Sequence, residues 1–325
     1  LGAFLSGNSI NKGAKFAVKL NTKRTMLVGL AFLSICIFWQ MYDSVMTLIL
    51  TDTFHLNETI AGAVMAADNV LALFLLPLFG ALSDKTNTRI GRRMPYIIGG
   101  TAAAVVLMNL LPVLDNAYAA SPSPLILGLF IAALALLLVA MGVYRSPAVA
   151  LMPDVTPKPL RSRGNAVINL MGAVGGILYL GVAAVLYPNS KTAGLDHVNY
   201  QPLFVAVSLL MAAAVAVLYF TTNEPKLAAA EKEYEAEHPE QQLVEEEPDG
   251  REELPKPVKR SLLMILFSIA LWYIGYNGVT TWWTTYVGRV MGQGLGGAST
   301  CLLVATGGAC LLYTSPSPRD MRRSR

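Results

Sequence analysis

The stretch that decides the fold of this 325-residue chain lies at residues 80–95 and reads GALSDKTNTRIGRRMP. It places one carboxylate and three arginines between two long apolar runs. Gly80 allows one helix to lie close to another, and Gly91 allows a tight turn. Asp84, at a helix end, can accept backbone N–H groups or pair with a cation. The stretch therefore predicts a short basic connection between two helices.

The apolar runs around this connection are long enough to cross a membrane, which takes about 20 predominantly apolar residues. Only 14% of the chain is charged, whereas soluble domains carry about 25%. We therefore expect an all-α polytopic membrane protein. Seven spans are predicted at residues 25–50, 60–82, 95–114, 125–152, 165–186, 202–220 and 261–287, and an eighth runs from Gly296 to Ala309.

The composition argues against other classes of protein. Three cysteines, Cys36, Cys301 and Cys310, are too few for a disulfide scaffold and lack the spacing of metal ligands. A chain that is 54% hydrophobic is a poor match for a nucleic-acid binder or a disordered protein. Without a Gly-Lys-Ser/Thr phosphate loop or a nucleophile–base cluster, we expect no ATP-driven pump, no enzyme, no cofactor and no metal.

The connections between the spans alternate in charge. Cytoplasmic loops carry an excess of Lys and Arg. The three loops on one side of the membrane, at residues 51–59, 115–124 and 187–201, contain a single basic residue, Lys191. We therefore expect a multi-pass protein of the cell (inner) membrane with a cytoplasmic N-terminus. The other side carries twelve basic residues: Lys12, Lys15, Lys19, Lys23, Arg24, Lys85, Arg89, Arg92, Arg93, Lys158, Arg161 and Arg163.

The spans fall into two groups. Residues 1–24 form an N-terminal segment, residues 25–220 the first six spans, and residues 261–309 the start of a second group. Residues 221–260 hold twelve acidic and six basic residues and are expected to form a cytoplasmic linker, partly helical and partly disordered. A solvated spacer is its simplest role. Transporters built from two six-helix halves have this layout.

The last sixteen residues break this pattern. Residues 310–320 read CLLYTSPSPRD, which resembles the translation of a transposon-type sequencing adapter. We therefore expect residues 310–325 not to be native, the alternative being a genuine basic tail. The chain also begins with leucine, so we expect a fragment of a longer protein.

The stretch at residues 80–95 resembles the signature cytoplasmic loop of the major facilitator superfamily. The longer form found here is that of its glycoside-pentoside-hexuronide:cation symporter and sucrose-transporter-like branches. Residues 144–166, YRSPAVALMPDVTPKPLRSRGNA, look like the junction of helices four and five in the same branches. The resemblance implies two six-helix bundles, alternating access and a latch at this loop. The gating residues it implies are Gly80, Asp84, Arg89, Gly91, Arg92, Arg93, Asp154 and Arg161.

Three ionisable residues inside the spans, Asp43, Asp68 and Arg145, are candidates for ion coupling because such residues are costly in a membrane. We expect an arginine–carboxylate pair, in which the carboxylate can exchange its partner for a proton. Melibiose-type relatives carry two carboxylates where this chain has Ala72 and Leu76, so the resemblance favours a proton over sodium. A purely structural intramembrane ion pair is the alternative.

Aromatic rings beside amide and hydroxyl groups suit a sugar, whose hydroxyls need hydrogen bonds and whose C–H faces pack on rings. The predicted function is proton-coupled symport of a sugar or glycoside, which the fragment alone is not expected to perform. An exporter of drugs or metabolites and a non-transporting membrane sensor are the alternatives. The predicted substrate-binding residues are Trp39, Gln40, Asn69, Tyr273 and Asn277.

Overall fold

The apolar runs form long helices in the computed structural model, which describes residues 21–192, 194–237 and 256–314. These residues contain no β-strand, so the predicted all-α fold is confirmed. A π-helical segment, Ile49–Thr53, extends the first helix. The helices are α1 (Thr22–Leu48), α2 (Glu58–Lys85), α3 (Met94–Ala120), α4 (Pro124–Asp154), α5 (Arg161–Leu186), α6 (Asn189–Thr192), α7 (Gln201–Thr221), α8 (Glu224–Glu237), α9 (Lys256–Met291) and α10 (Leu295–Thr314).

Within the described residues, seven helices are long and apolar enough to cross a membrane. They are α1 with its extension, α2, α3, α4, α5, α7 and α9, and they coincide with the seven predicted spans. The eighth predicted span corresponds to α10, which continues past residue 309 to Thr314. The second group of spans starts earlier than residue 261, since α9 begins at Lys256. The predicted segments at residues 1–20, 238–255 and 315–325 lie outside the described residues.

The helices extend beyond the apolar runs because polar residues cap them. The Asn57 side chain accepts a hydrogen bond from the backbone N–H of Thr59 at the start of α2, at 2.9 Å. The Ser123 hydroxyl does the same for Leu125 in α4, at 3.3 Å. Such caps satisfy N–H groups that have no partner within the helix. Hydropathy alone therefore predicts the membrane core of each helix but not its ends.

Helix α1 is the centre of the first bundle and packs on α4, α5 and α7. Gly175 of α5 lies so close to α1 that a β-carbon there would overlap the Leu33 carbonyl. The Tyr144 hydroxyl of α4 donates to the Ala31 carbonyl at 2.7 Å and also contacts the Ser34 hydroxyl. Small residues and buried hydrogen bonds of this kind hold membrane helices together.

Helices α9 and α10 meet the first bundle at one end only. Residues 257–279 of α9 are exposed, whereas Thr284 is buried and donates to the Ser44 carbonyl at 2.8 Å. Arg289 pairs with Glu58 at the start of α2. We call this end of the bundle the distal end, and the opposite end, which carries the connection between α2 and α3, the basic end.

Replacing Gly175 with alanine should destabilise the fold, because the added methyl group meets backbone rather than a movable side chain. We expect a loss of about 1–3 kcal/mol, the usual cost of overpacking. Gly181→Ala on the same helix is the control, since nothing lies within 4 Å of its β-carbon position. Thermal unfolding in detergent measures both, and equal midpoints for the two variants would contradict the packing argument.

Candidate functional site

The basic end is organised around the guanidinium of Arg93, which caps α3 and is 6% exposed. Its Nε donates to Asp154 of α4 at 2.8 Å, it pairs with Asp84 at the end of α2, and its Nη1 donates to the Ser83 hydroxyl at 2.5 Å. Arg92 lies 3.4 Å from Asp154. One cation thus joins α2, α3 and α4.

Arg93 remains charged because its acidic partners outweigh its burial. Burial lowers the pKa of Arg93, but the hydrogen bond and charge of Asp154, with the charge and hydrogen bond of Asp84, raise the pKa above its ordinary value. A buried charge is costly unless it is paired and hydrogen-bonded. The cluster therefore depends on both carboxylates staying in place.

The other predicted gating residues lie around this cluster. Gly91 adopts a φ of 120°, which favours glycine, and Gly80 faces α4, its β-carbon position 3.1 Å from the Ser146 hydroxyl. Arg89 is exposed, and neither it nor Arg161 forms an ion pair with any residue that the structure describes. Arg161 donates instead to the Thr156 carbonyl at 3.3 Å. The gating roles of these residues stay predictions.

Glu224, which the sequence reasoning missed, completes the basic end. Its carboxylate is 2% exposed and accepts backbone N–H groups from Arg92 at 2.7 Å, Arg93 at 2.9 Å and Met94 at 2.9 Å. These groups begin α3, where the helix dipole favours an anion. Since Glu224 also begins α8, the linker is attached to the connection between α2 and α3. In the sequence it is one of twelve acidic linker residues, and only its place directly after the sixth span sets it apart.

The predicted coupling residues come together in the middle of the first bundle. Trp39 of α1, Asp68 of α2 and Arg145 of α4 line one small cavity. The Arg145 guanidinium lies over the Trp39 ring, 5.4 Å from its centroid, a cation–π contact. Asp43 of α1 is half-buried and close enough to Asp68 for their charges to interact. Three helices thus contribute ionisable groups to one region.

The expected arginine–carboxylate pair is wrong for this conformation. Among the described residues, Arg145 has no carboxylate oxygen within 4.0 Å. The Asp68 carboxylate turns back to Asn69, whose backbone N–H donates at 2.6 Å and whose side-chain amide donates at 2.7 Å. In this conformation Arg145 contacts the Trp39 ring and Asp68 contacts Asn69, while the Arg145 charge still acts on Asp68 at longer range.

The predicted substrate residues are divided between the first bundle and α9. Gln40 of α1 faces α5, its Oε1 3.6 Å from the β-carbon position of Gly176. On α9, Tyr273 and Asn277 are exposed, and the Asn277 amide donates to the Tyr273 carbonyl at 3.1 Å. Tyr276 of α9 was not among the predicted substrate residues, but it lies close enough to Asp43 for the two to interact electrostatically. The substrate roles stay predictions.

Replacing Glu224 with alanine should destabilise the protein, because three backbone N–H groups at the start of α3 lose their acceptor. Each buried unpaired group costs about 1–3 kcal/mol, so we expect a loss of at least about 2 kcal/mol. Glu233→Ala, an exposed position on the same helix, is the matched control. The measurement is thermal unfolding, and a Glu224→Ala midpoint equal to that of Glu233→Ala would contradict the assigned role.

Comparison with known proteins agrees with this architecture. The chain is 28% identical over 179 residues to solute carrier family 45 member 3 of Macaca fascicularis and of Homo sapiens, covering 54% of this chain and 32% of each relative. It is 27% identical over 197 residues to the alpha-ketoglutarate permease of Escherichia coli (strain K12), covering 58% of this chain and 41% of the permease. The chain therefore spans less than half the length of these relatives. The family model of the Major Facilitator Superfamily matches residues 23–319. The chain belongs to the Major Facilitator Superfamily.

Proposed function

We propose that this chain is part of a secondary active transporter that moves a small polar solute by alternating access. The observation that carries the proposal is the one-sided contact of α9 and α10, which touch the first bundle at the distal end and leave residues 257–279 of α9 exposed towards the basic end. The cavity lined by Trp39, Asp68 and Arg145 lies between α1, α2 and α4 of the first bundle. Two helix groups joined at one end and apart at the other are what a rocking motion around a central site requires.

The basic end is proposed to face the cytoplasm of an inner membrane. Twelve basic residues in the connections on that side, against one on the other, support this orientation. In this orientation the conformation is closed towards the outside and open towards the cytoplasm. The cluster of Arg93, Asp84, Asp154 and Glu224 is then a cytoplasmic gate element. It fixes the positions of α2, α3 and α4 relative to the linker.

Proton coupling is proposed to use the carboxylates of Asp43 and Asp68. Both carboxylates lie in membrane-spanning helices, where ionisable residues are costly and mark candidate proton pathways. Arg145 is free of a carboxylate partner within the described residues, so a movement of α4 relative to α2 could bring it to Asp68 and release a proton. A transporter that exchanges these two partners couples proton movement to the change of conformation.

A sugar or glycoside is the proposed substrate. The Trp39 ring forms part of the cavity wall, and the Trp39 indole N–H and the Tyr42 hydroxyl are buried without hydrogen-bond partners among the described residues. A substrate hydroxyl could satisfy such groups. An aromatic ring beside unpaired hydrogen-bonding groups also suits the substrates of the glycoside-pentoside-hexuronide:cation and sucrose-transporter-like branches, which this chain resembles.

A small organic acid is a second candidate substrate. The unpaired guanidinium of Arg145 favours it, because a carboxylate is the natural partner of an arginine in a cavity. The alpha-ketoglutarate permease among the relatives is named for such an acid. Transport assays in vesicles with labelled sugars and labelled organic acids, each with and without a pH gradient, distinguish the two candidates. These assays use the full-length protein that contains this chain.

Replacing Asp68 or Asp43 with asparagine should reduce uptake driven by a pH gradient at least about tenfold, since each change removes a proton acceptor. Substrate exchange without a gradient should remain, because it needs no net proton movement. Asp52→Asn, which changes an exposed carboxylate outside the cavity, is the control. Unchanged pH-dependent uptake in both variants would refute the coupling role.

Arg145→Gln separates the two substrate classes. If the substrate is an organic acid, the variant should lose binding by a factor of roughly 10–100, the effect of removing a charged hydrogen bond. A sugar transporter should keep most of its substrate affinity and lose proton coupling instead. Equilibrium binding of labelled substrate in vesicles without a pH gradient measures this difference.

A further inference from the structure

A carboxylate is buried at the distal end of the first bundle, far along α3 from the Arg93 cluster. Asp115 is 0% exposed, and neither of its oxygens has a hydrogen-bond partner among the described residues. The Thr53 side chain approaches the carboxylate without donating a well-aligned hydrogen bond. A bare carboxylate in such a place costs several kcal/mol. It therefore needs a proton of its own or a cation.

His197, in the loop between α6 and α7, can supply this proton or, when protonated, serve as the cation. Its Nε2 lies 3.7 Å from Asp115 Oδ2 and 2.9 Å from Asn116 Oδ1. Its Nδ1 lies 3.4 Å from the Thr53 hydroxyl, which can donate to a neutral imidazole or accept from a protonated one. The His197 side chain is 26% exposed, so it also has access to solvent. The imidazole thus lies between the buried carboxylate and solvent.

The surroundings of this pair hold the loop in a defined position. The Asn116 side-chain amide donates to Asn199 Oδ1 at 2.9 Å, and that oxygen also accepts the backbone N–H of Gln201 at 2.9 Å. These bonds orient Asn116 so that its oxygen faces His197. The Tyr187 hydroxyl donates to the Asn199 carbonyl at 2.8 Å. Residues of α3, α5 and α7 thus fix the imidazole opposite the carboxylate.

The other titratable groups in this region do not replace the pair. Burial raises the pKa of Tyr187 to about 12, and burial together with the charges of Asp52 and Asp115 raises the pKa of Tyr200 further. Both tyrosines therefore keep their protons near neutral pH. Asp52, at the end of α1, and Asp196, next to His197, are exposed and can be solvated by water.

We propose that Asp115 and His197 form a proton-binding site at the distal end, separate from the central carboxylates of Asp43 and Asp68. One proton is held by the pair, either on the carboxylate or on the imidazole, and it exchanges with water through the exposed edge of His197. Loss of this proton leaves a buried anion without a partner. The bound proton therefore keeps the loop between α6 and α7 in place on α3.

Tyr187, between α5 and α6, links this loop to the contact between the first bundle and α10. The Tyr187 side chain holds Asn199, and the Tyr187 carbonyl lies against Gly296, where a β-carbon would overlap it. Proton binding at Asp115 and His197 thus stabilises the surface on which α10 rests. In the proposed orientation this site senses the pH outside the cell.

Infrared difference spectroscopy of the full chain in lipid vesicles tests the proposal with the proton itself as the probe. In the unmodified chain, a carboxylic-acid C=O band should disappear as the pH is raised. This band should be missing in Asp115→Asn and present in Asp196→Asn, whose carboxylate is exposed and adjacent to His197. Comparison with Asp115→Asn removes the contribution of other carboxyl groups, including Asp43 and Asp68.

His197→Gln provides the second measurement and leaves the buried carboxylate in place. Because the imidazole can no longer share the proton, the variant binds it less tightly, and the band should disappear at a lower pH than in the unmodified chain. A titrating band identical in the unmodified chain and in Asp115→Asn would overturn the proposal, as would an unchanged midpoint in His197→Gln. The infrared band is measured without transport. An absence of uptake in the vesicle assays would therefore refute the proposed function but not the proton-binding site.

Discussion

The buried guanidinium of Arg93 is the interaction on which the basic end of the bundle depends. Its charge is held at the start of α3 by Asp84 from α2 and Asp154 from α4, so three helices share one cation. Glu224 adds an anion to the N-terminus of the same helix through its backbone N–H groups. The Arg93 side chain and Glu224 are both buried, and a buried charge is costly without a partner, so these contacts support one another.

The distal end is built differently. There the helices meet through close packing, as at Gly296 against Tyr187, and through the Thr284 hydrogen bond to the Ser44 carbonyl. Arg289 and Glu58 form the ion pair between the two helix groups, and it is exposed to solvent. Exposed pairs contribute little to stability, about 0–1 kcal/mol. Packing therefore holds the two helix groups together at this end, whereas at the basic end buried charges join α2, α3, α4 and the linker within the first bundle.

Much of this fold could be predicted from the sequence, because the signals are local. Twenty apolar residues in a row predict a span wherever they occur, and the glycine at position 91 and the arginine at position 93 stand in a contiguous stretch whose pattern indicates the connection. The ends of the helices were less predictable from the sequence, since capping by residues such as Asn57 extends a helix beyond its apolar run. The similar depth of Asp68 and Arg145 in the membrane could be read from the sequence, but the cavity that both line could not.

The interactions that the sequence did not indicate join residues distant along the chain. Glu224 contacts Arg93 across 131 positions, and it is one of twelve acidic residues in the linker. Asp115 and His197 each stand at the end of an apolar run, where a polar residue is ordinary. The expected ion pair of Arg145 and Asp68 is not formed in this conformation, in which Arg145 lies over the Trp39 ring and Asp68 accepts from Asn69.

In the proposed mechanism the two helix groups separate at one end as they close at the other. Pulsed electron paramagnetic resonance on the full-length protein can measure this motion, with one spin-label pair at positions 89 and 258 for the basic end and another at positions 60 and 290 for the distal end. We expect two distance populations for each pair, and conditions that shorten the basic-end distance should lengthen the distal-end distance. A single population at both ends that does not respond to pH or substrate would contradict it.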